Sequence, residues 1–286
     1  IPSHCQQLHP GIPYISSSPT GGAMPFHLGA GVSHYWGVGA YMHQAADTDI
    51  ARVKFASEGM GRSNIPIDAS INQWLDPFTE FTYNADWIKR IPRDLGAGWD
   101  FEENRDFYLN AIFGENAVEL RRHDVHKYIA LSRVVTGELI ARVYNQWRKA
   151  SSQCGGGLIW FYRDFWPCAG FGLIDSDNQA KPAYYIIKRS WANRIAIIND
   201  EGLDGAAITI NNEKAQTLNA KLELQLLRNN GTEVATAQQL ISVPGHGQLS
   251  VQADAMLGRF FDTAYAYRFG PSQFDAVVCH WQDENS

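Results

Sequence analysis

The sequence predicts an α/β region followed by an all-β sandwich, on three observations. Over the first two thirds, strand-length apolar runs end in polar or aromatic residues and alternate with helical patterns. Near Ala192 the helical periodicity stops, and short runs separated by Gly, Asn and Pro turns take over. The 286 residues, 45% hydrophobic and 12% aromatic, are enough to bury one large core or two unequal ones. The expected division is therefore 1–192 and 193–286.

Residues 12–18, 32–39 and 51–58 read as strands, each bounded by Pro or Gly and each running into a loop. Asp100 and Glu103 form a capping-box pattern, Phe107, Ala111 and Ile112 follow at helical spacing, and Gly114 supplies the stop, so a helix of about four turns is expected. A second helix starts at Asp124, carries Tyr128, Ile129, Leu131, Val135, Leu139, Ile140, Val143, Tyr144 and Trp147, and breaks between Ser151 and Gly155-Gly156-Gly157. Residues 158–162 are again strand-like, and 182–190 read as a closing helix. Four parallel β/α units are half of what a closed eight-stranded barrel needs, so either the sheet is open or the chain begins halfway round. In parallel folds, function sits where strand C-terminal ends meet their loops.

Beyond 192, strands are expected over 206–210, 220–227, 238–243, 248–251, 263–269 and 276–281, with turns at Asn229-Asn230-Gly231 and Pro244-Gly245. This is the pattern of a small immunoglobulin-like sandwich. Asn230-Gly231-Thr232 is also a glycosylation triplet, but its place between two strands favours the turn reading.

Charge and motifs exclude several classes. Thirty acidic against 24 basic residues give a net charge of -6, which argues against nucleic acid as a partner. No run approaches eighteen apolar residues, so no membrane span is expected. Cys5, Cys154, Cys168 and Cys279 lack metal-ligand spacing, and His123 with His126 lacks a third ligand, so no metal site is expected. The G-x-S-x-G, H-E-x-x-H, Walker and dinucleotide patterns are absent, leaving no sign of a cofactor. Ile1 opens a polar stretch with no basic or apolar leader region, so the true N-terminus is expected elsewhere and the compartment stays open.

Three places could carry chemistry. Glu58 ends an expected strand and precedes Gly59-Met60-Gly61, which puts a carboxylate at a strand mouth; solvated surface is the competing reading. Asp164 has Trp160, Phe165 and Trp166 close by, and aromatic faces beside an acid suit a pyranose ring. The competing reading there is a structural Arg163–Asp164 ion pair with core aromatics. Ser33-His34-Tyr35-Trp36-Gly37 sets a histidine and two aromatics at another strand end, where a hydrogen-bonded structural histidine is the commoner case. Carboxylate and aromatic chemistry on a sugar is what remains.

Taken together, residues 13–22 (Pro-Tyr-Ile-Ser-Ser-Ser-Pro-Thr-Gly-Gly), 33–39, 52–58, 157–160, 164–167 and Ile174-Asp175 resemble the C-terminal half of glycoside hydrolase family 2, in its β-mannosidase-like branch. The resemblance implies the second half of a (β/α)8 barrel over 1–192, followed by an immunoglobulin-like domain over 193–286. It implies a retaining β-glycosidase for terminal β-mannosides, with Glu58 of the Ser57-Glu58 pair as nucleophile. The acid/base glutamate would lie on an N-terminal part of the same protein outside this chain, which makes that part a required partner. His34, Tyr35, Trp36, Trp160, Asp164 and Trp166 would bind the carbohydrate substrate, with Trp160 as the floor of the first subsite. No metal or cofactor is implied, since two carboxylates and a pocket suffice for retention. Gly39 stands where a Trp is usual and Arg163 where an Asn is usual, so β-galactoside or β-glucuronide specificity stays open. So does a non-catalytic carbohydrate-binding or inactive structural fragment.

Overall fold

A computed structural model describes residues 1–24, 26–75 and 83–283. The chain divides into two compact units, Ile1–Trp147 with Gln153–Arg189, and Arg148–Ser152 with Ser190–Ser286.

In the first unit, helix α1 (Pro2–Leu8) is followed by β1 (Ser33–Tyr35), α2 (Asp47–Ala51), β2 (Ala56–Gly59), α3 (Asp68–Ile71) and α4 (Ala85–Ile88). Then come α5 (Phe101–Phe113), α6 (Ala117–His123), α7 (Val125–Trp147) and α8 (Pro182–Ser190). Strands β1 and β2 pair in parallel, Ser33 opposite Ala56, His34 opposite Glu58 and Tyr35 opposite Gly59, with a register shift after Ser33. Residues 156–160 extend this order on the far side of β2: Ala56 N donates to Gly156 O at 3.0 Å, Leu158 N to Ala56 O at 2.7 Å, and Trp160 N to Gly59 O at 2.8 Å. Beyond β2 the chain is stapled again, with Asn64 N donating to Gly170 O at 2.9 Å and Ser63 Oγ to Ala169 O at 2.7 Å.

The helices supply the apolar cover. Asp100 accepts from Glu102 N and Glu103 N while Glu103 accepts from Asp100 N, a full capping box, and Gly114 ends α5 in the left-handed conformation. Along α7, Tyr128, Ile129, Val135, Leu139, Ile140, Val143, Tyr144 and Trp147 are buried at helical spacing. They join Tyr35, Val38, Val53, Ile65, Trp87, Tyr108 and Leu109 in one core.

Four local expectations are corrected. Residues 158–162 form no strand of their own, and the ladder contact there is the isolated parallel Ala56–Gly157 bridge. Residues 12–18 form no strand, and Ile12, Tyr14 and Ile15 stay exposed; the nearest ladder contact is the antiparallel Thr20–Val32 bridge, and a strand without a partner does not hold. The run 51–58 begins as the end of α2, turns at Arg52 with φ 46° and becomes a strand at Ala56. Helix α6 was not expected; Asn116 caps it by accepting from Val118 N and Glu119 N.

The second unit contains β3 (Arg194–Asp200), β4 (Ala206–Asn212), β5 (Leu218–Leu227), β6 (Glu233–Val243), β7 (Gly247–Gln252), α9 (Ala253–Leu257) and β8 (Ala276–Asp283). They form two three-stranded antiparallel sheets, β3-β4-β7 and β6-β5-β8. Alternate residues of β5 turn inward, and Leu218, Leu222 and Leu224 join Ile208, Ile210, Ile241 and Val243 in a core shared by the sheets. The turn after β5 forms as expected: Arg228 N donates to Thr232 O at 2.9 Å, with Gly231 at φ 81°. Residues 263–269 are not a strand, because Asp262 folds them into a turn by accepting from Ala266 N, Tyr267 N and Arg268 N. Strand β3 is an addition to the expected set.

Candidate functional site

Glu58 is the penultimate residue of β2, half-buried, and faces His34 across the β1–β2 register. His34 Nδ1 lies 3.9 Å from Glu58 Oε1. The other ring nitrogen, Nε2, lies 2.9 Å from Ser18 Oγ, which in turn lies 2.5 Å from Ser57 Oγ. Ser57 Oγ is also 3.2 Å from Ser33 O. The Phe26 and His34 rings meet in a T-shaped pair, with centroids 5.8 Å apart. The segment 17–20, the end of β1 and the end of β2 therefore meet around one histidine and one carboxylate.

Two aromatics converge at Gly61, three residues after Glu58. A Cβ built on Gly61 would stand 3.2 Å from the Trp36 ring and 3.5 Å from the Trp160 ring. Gly61 thus lies between two indoles, one from the loop after β1 and one from the segment paired to β2. Trp160 is 42% exposed, which leaves indole surface for a flat apolar partner.

Other expected contact residues are placed differently. Tyr35 is 1% exposed, because neighbouring strand residues point to opposite faces and His34 takes the open one. Its hydroxyl donates to Asp47 Oδ2 at 2.7 Å, its ring packs on Trp147, and burial followed by the Asp47 contact pushes its pKa up. It is a core residue. Asp164 is 2% exposed, accepts from Gly172 N at 2.7 Å and pairs with Lys181 Nζ at 2.5 Å. Its carboxylate points inward, and Arg163, the other partner weighed for it, donates instead to Ser176 O at 2.7 Å. Trp166 is 49% exposed with the Arg90 guanidinium 5.1 Å from its ring centre. Arg90 also lies over Trp74 at 4.8 Å, so Trp166 belongs to a cation–aromatic stack.

Sequence reasoning missed Ser18, Phe26 and Gly61 as members of the site. Ser18 lies forty residues from Glu58 in a stretch read as an ordinary strand, and nothing in a single sequence signals its contact with His34. Among the described residues, no group of three His, Cys, Asp or Glu side chains is arranged to hold a metal ion.

No protein-family model matches the chain. The fold, a mixed helix-and-sheet unit with an antiparallel sandwich, is similar to that of glycoside-hydrolase structures. The β-D-mannosidase of Dictyoglomus thermophilum superposes with a TM-score of 0.75 at 23% identity, covering 87% of this chain and 29% of that one. The exo-chitosanase of Amycolatopsis orientalis gives 0.55 at 12% identity, covering 79% and 27%. In sequence, β-mannosidase B of Emericella nidulans is 30% identical over 192 residues, 63% of this chain and 20% of that protein. β-Mannosidase B of Thermothelomyces thermophilus is 24% identical over 197 residues, 66% and 22%. That of Aspergillus niger is 36% identical over 94 residues, 32% and 11%. In sequence the chain is similar to these curated β-mannosidases, and in fold to the solved β-D-mannosidase. It spans about a tenth to a fifth of the length of these curated relatives.

Proposed function

We propose that the chain is part of a retaining β-glycoside hydrolase acting on terminal β-mannosides, with Glu58 as its nucleophile. The observation that carries this is the half-buried Glu58 facing His34 at a strand C-terminal end, with Trp36 and Trp160 converging at Gly61, three residues further along the chain. The parallel order β1, β2 and 156–160 is then read as neighbouring strands in the C-terminal half of a (β/α)8 catalytic domain. Residues 1–192 would belong to that domain and 193–286 to an immunoglobulin-like sandwich.

In the reaction, a Glu58 carboxylate oxygen attacks the anomeric carbon as the glycosidic C–O bond breaks and the leaving oxygen takes a proton from an acid. Water, deprotonated by the same residue, then attacks the anomeric carbon and releases Glu58. The two carboxyls must stand about 5 Å apart for this sequence of events, and the acid/base group is assigned to a part of the protein outside this chain. Trp36 and Trp160 supply stacking surface for the pyranose, a carbohydrate being the substrate in this reading. Asp164 and Tyr35 have no direct role, and Trp166 is left to the Arg90 stack.

The test uses the intact protein. Incubation with 2-deoxy-2-fluoro-β-mannosyl fluoride, whose fluoride departs with little acid help, is followed by denaturing mass measurement and peptide mapping. The expected result is one covalent adduct, on the peptide carrying Glu58, and its loss in Glu58→Gln together with a fall in turnover of several powers of ten. Undiminished turnover in Glu58→Gln, or an adduct on another carboxylate, overturns the assignment.

A further inference from the structure

Gly61 is a glycine that its own backbone does not demand. Its φ lies outside the left-handed region that selects glycine at positions such as Gly114 and Gly231. It also differs from Gly59, where a Cβ would run into the Tyr35 carbonyl oxygen. At Gly61 the crowding comes from a side chain. A Cβ there would rest at 3.5 Å from both Trp160 Cδ1 and Trp160 O, but at 3.2 Å from Trp36 Cζ3, inside the about 3.5–4.0 Å at which carbon atoms pack best. A methyl group at this position therefore needs a neighbour to give way by a few tenths of an ångström.

The backbone is poorly placed to yield. Met60 and Arg62 are buried on either side of Gly61. The Arg62 guanidinium donates to Val38 O, two residues after Trp36, and to Asn104 Oδ1 at 3.2 Å, and it lies 4.5 Å over the Tyr108 ring. Ser63 Oγ is bonded to Ala169 O at 2.7 Å, and Trp36 O accepts from Tyr41 N at 3.1 Å. The segments carrying Gly61 and Trp36 are thus tied to each other and to their surroundings, which leaves the partly buried Trp36 indole as the group that turns. We propose that Gly61, by lacking a side chain, sets the tilt of the Trp36 indole and with it the tightness with which a pyranose is held: a positioning residue for binding that acts through Trp36. The proposal rests on Trp36 and Trp160 being the stacking surface for the sugar.

The test uses the intact protein, with Gly61→Ala, Trp36→Phe and the double variant Gly61→Ala/Trp36→Phe. Inactivation by 2-deoxy-2-fluoro-β-mannosyl fluoride is separated into its limiting rate and its half-saturating concentration, and melting temperatures are taken alongside. Gly61→Ala is expected to raise half-saturation by about fivefold, the scale of a weakened aromatic contact. Its limiting rate should stay within about twofold of the parent's, because stacking holds ground state and transition state alike. The smaller ring of Trp36→Phe makes room for the methyl group, so the double variant should bind no worse than Trp36→Phe alone, the non-additivity expected of groups in contact. If Gly61→Ala melts below the parent, the double variant should return to the melting temperature of Trp36→Phe. Parent-like half-saturation in Gly61→Ala, a loss confined to the limiting rate, multiplying losses in the double variant, or a double variant that stays destabilised overturns the proposal. In each of those cases labelling of Glu58 in the parent leaves the nucleophile standing, whereas a parent never labelled at Glu58 overturns both readings.

Discussion

The Lys181–Asp164 pair offers the sharpest test of how the first unit is held together. Both side chains are essentially inaccessible to solvent and 2.5 Å apart. Lys181 also donates to Asn64 O at 2.8 Å and Gly170 O at 3.2 Å, and Asp164 accepts from Gly172 N. The pair thus ties the chain leaving β2 to residues 164–172. Removing one member strands a buried charge, at a cost of about 3–5 kcal/mol. At about 2–4 °C per kcal/mol for a unit of this size, Lys181→Met should lower the melting temperature by roughly 10 °C, and Asp164→Asn, which keeps an acceptor for Gly172, by somewhat less. The double variant Asp164→Asn/Lys181→Met removes both charges, so its cost should fall short of the summed single costs by more than about 1 kcal/mol. The assay is thermal and denaturant unfolding of the four proteins at pH 7. Single variants within about 0.5 kcal/mol of the parent, or strictly additive costs, would refute the view that this is a coupled buried pair.

Two further outcomes follow from local features. Asp100→Ala removes the acceptor of two helix N-terminal amides and should cost about 1 kcal/mol, read as a small drop in denaturant midpoint with an unchanged slope; no change would mean the first turn of α5 is held by packing alone. Stability should also fall as pH rises from about 9 toward 12. Burial pushes the Cys168 thiol up from 9.0 to about 12 and raises the Tyr35 phenol, so over that window the unfolded chain binds fewer protons than the folded one and folding is penalised. Lys181, lowered from 10.5 by burial, acts in the opposite sense below 10.5. Cys168→Ala should flatten the alkaline loss by about 1.4 kcal/mol for each pH unit over which that thiol alone differs, and a denaturant midpoint that climbs between pH 9 and 11 would contradict the sign.

How much could be read in advance depended on how local the cause was. The ends of α5 were legible because Asp100, Glu103 and Gly114 act within one helix, and α7 because its apolar positions repeat at 3.6. The aromatic residues Tyr265, Tyr267 and Phe269 alternate like a strand, yet Asp262 captures three of the following amides and wins, so period two alone misled. The burial of Tyr35 was readable: two adjacent strand residues cannot both point to the same face, and setting His34 opposite Glu58 commits Tyr35 to the core. Asp164 was not readable, since its partner is seventeen residues on and reaches it only through the fold. The place of Glu58 at a strand end was legible because its run stops at a glycine-flanked turn.

That turn also explains why the carboxylate belongs there. A Cβ on Gly59 would lie 2.4 Å from Tyr35 O, so β1 and β2 can approach this closely only with glycine after Glu58. Gly59 O then accepts from Trp160 N on the other side, and Met60 turns the chain away at φ 61°. The backbone carrying Glu58 is thereby pinned by a neighbour on each flank, while the side chain remains 30% exposed. A carboxylate placed by its backbone needs little burial to be held still, so its position does not carry the desolvation cost that fixing it by packing would impose.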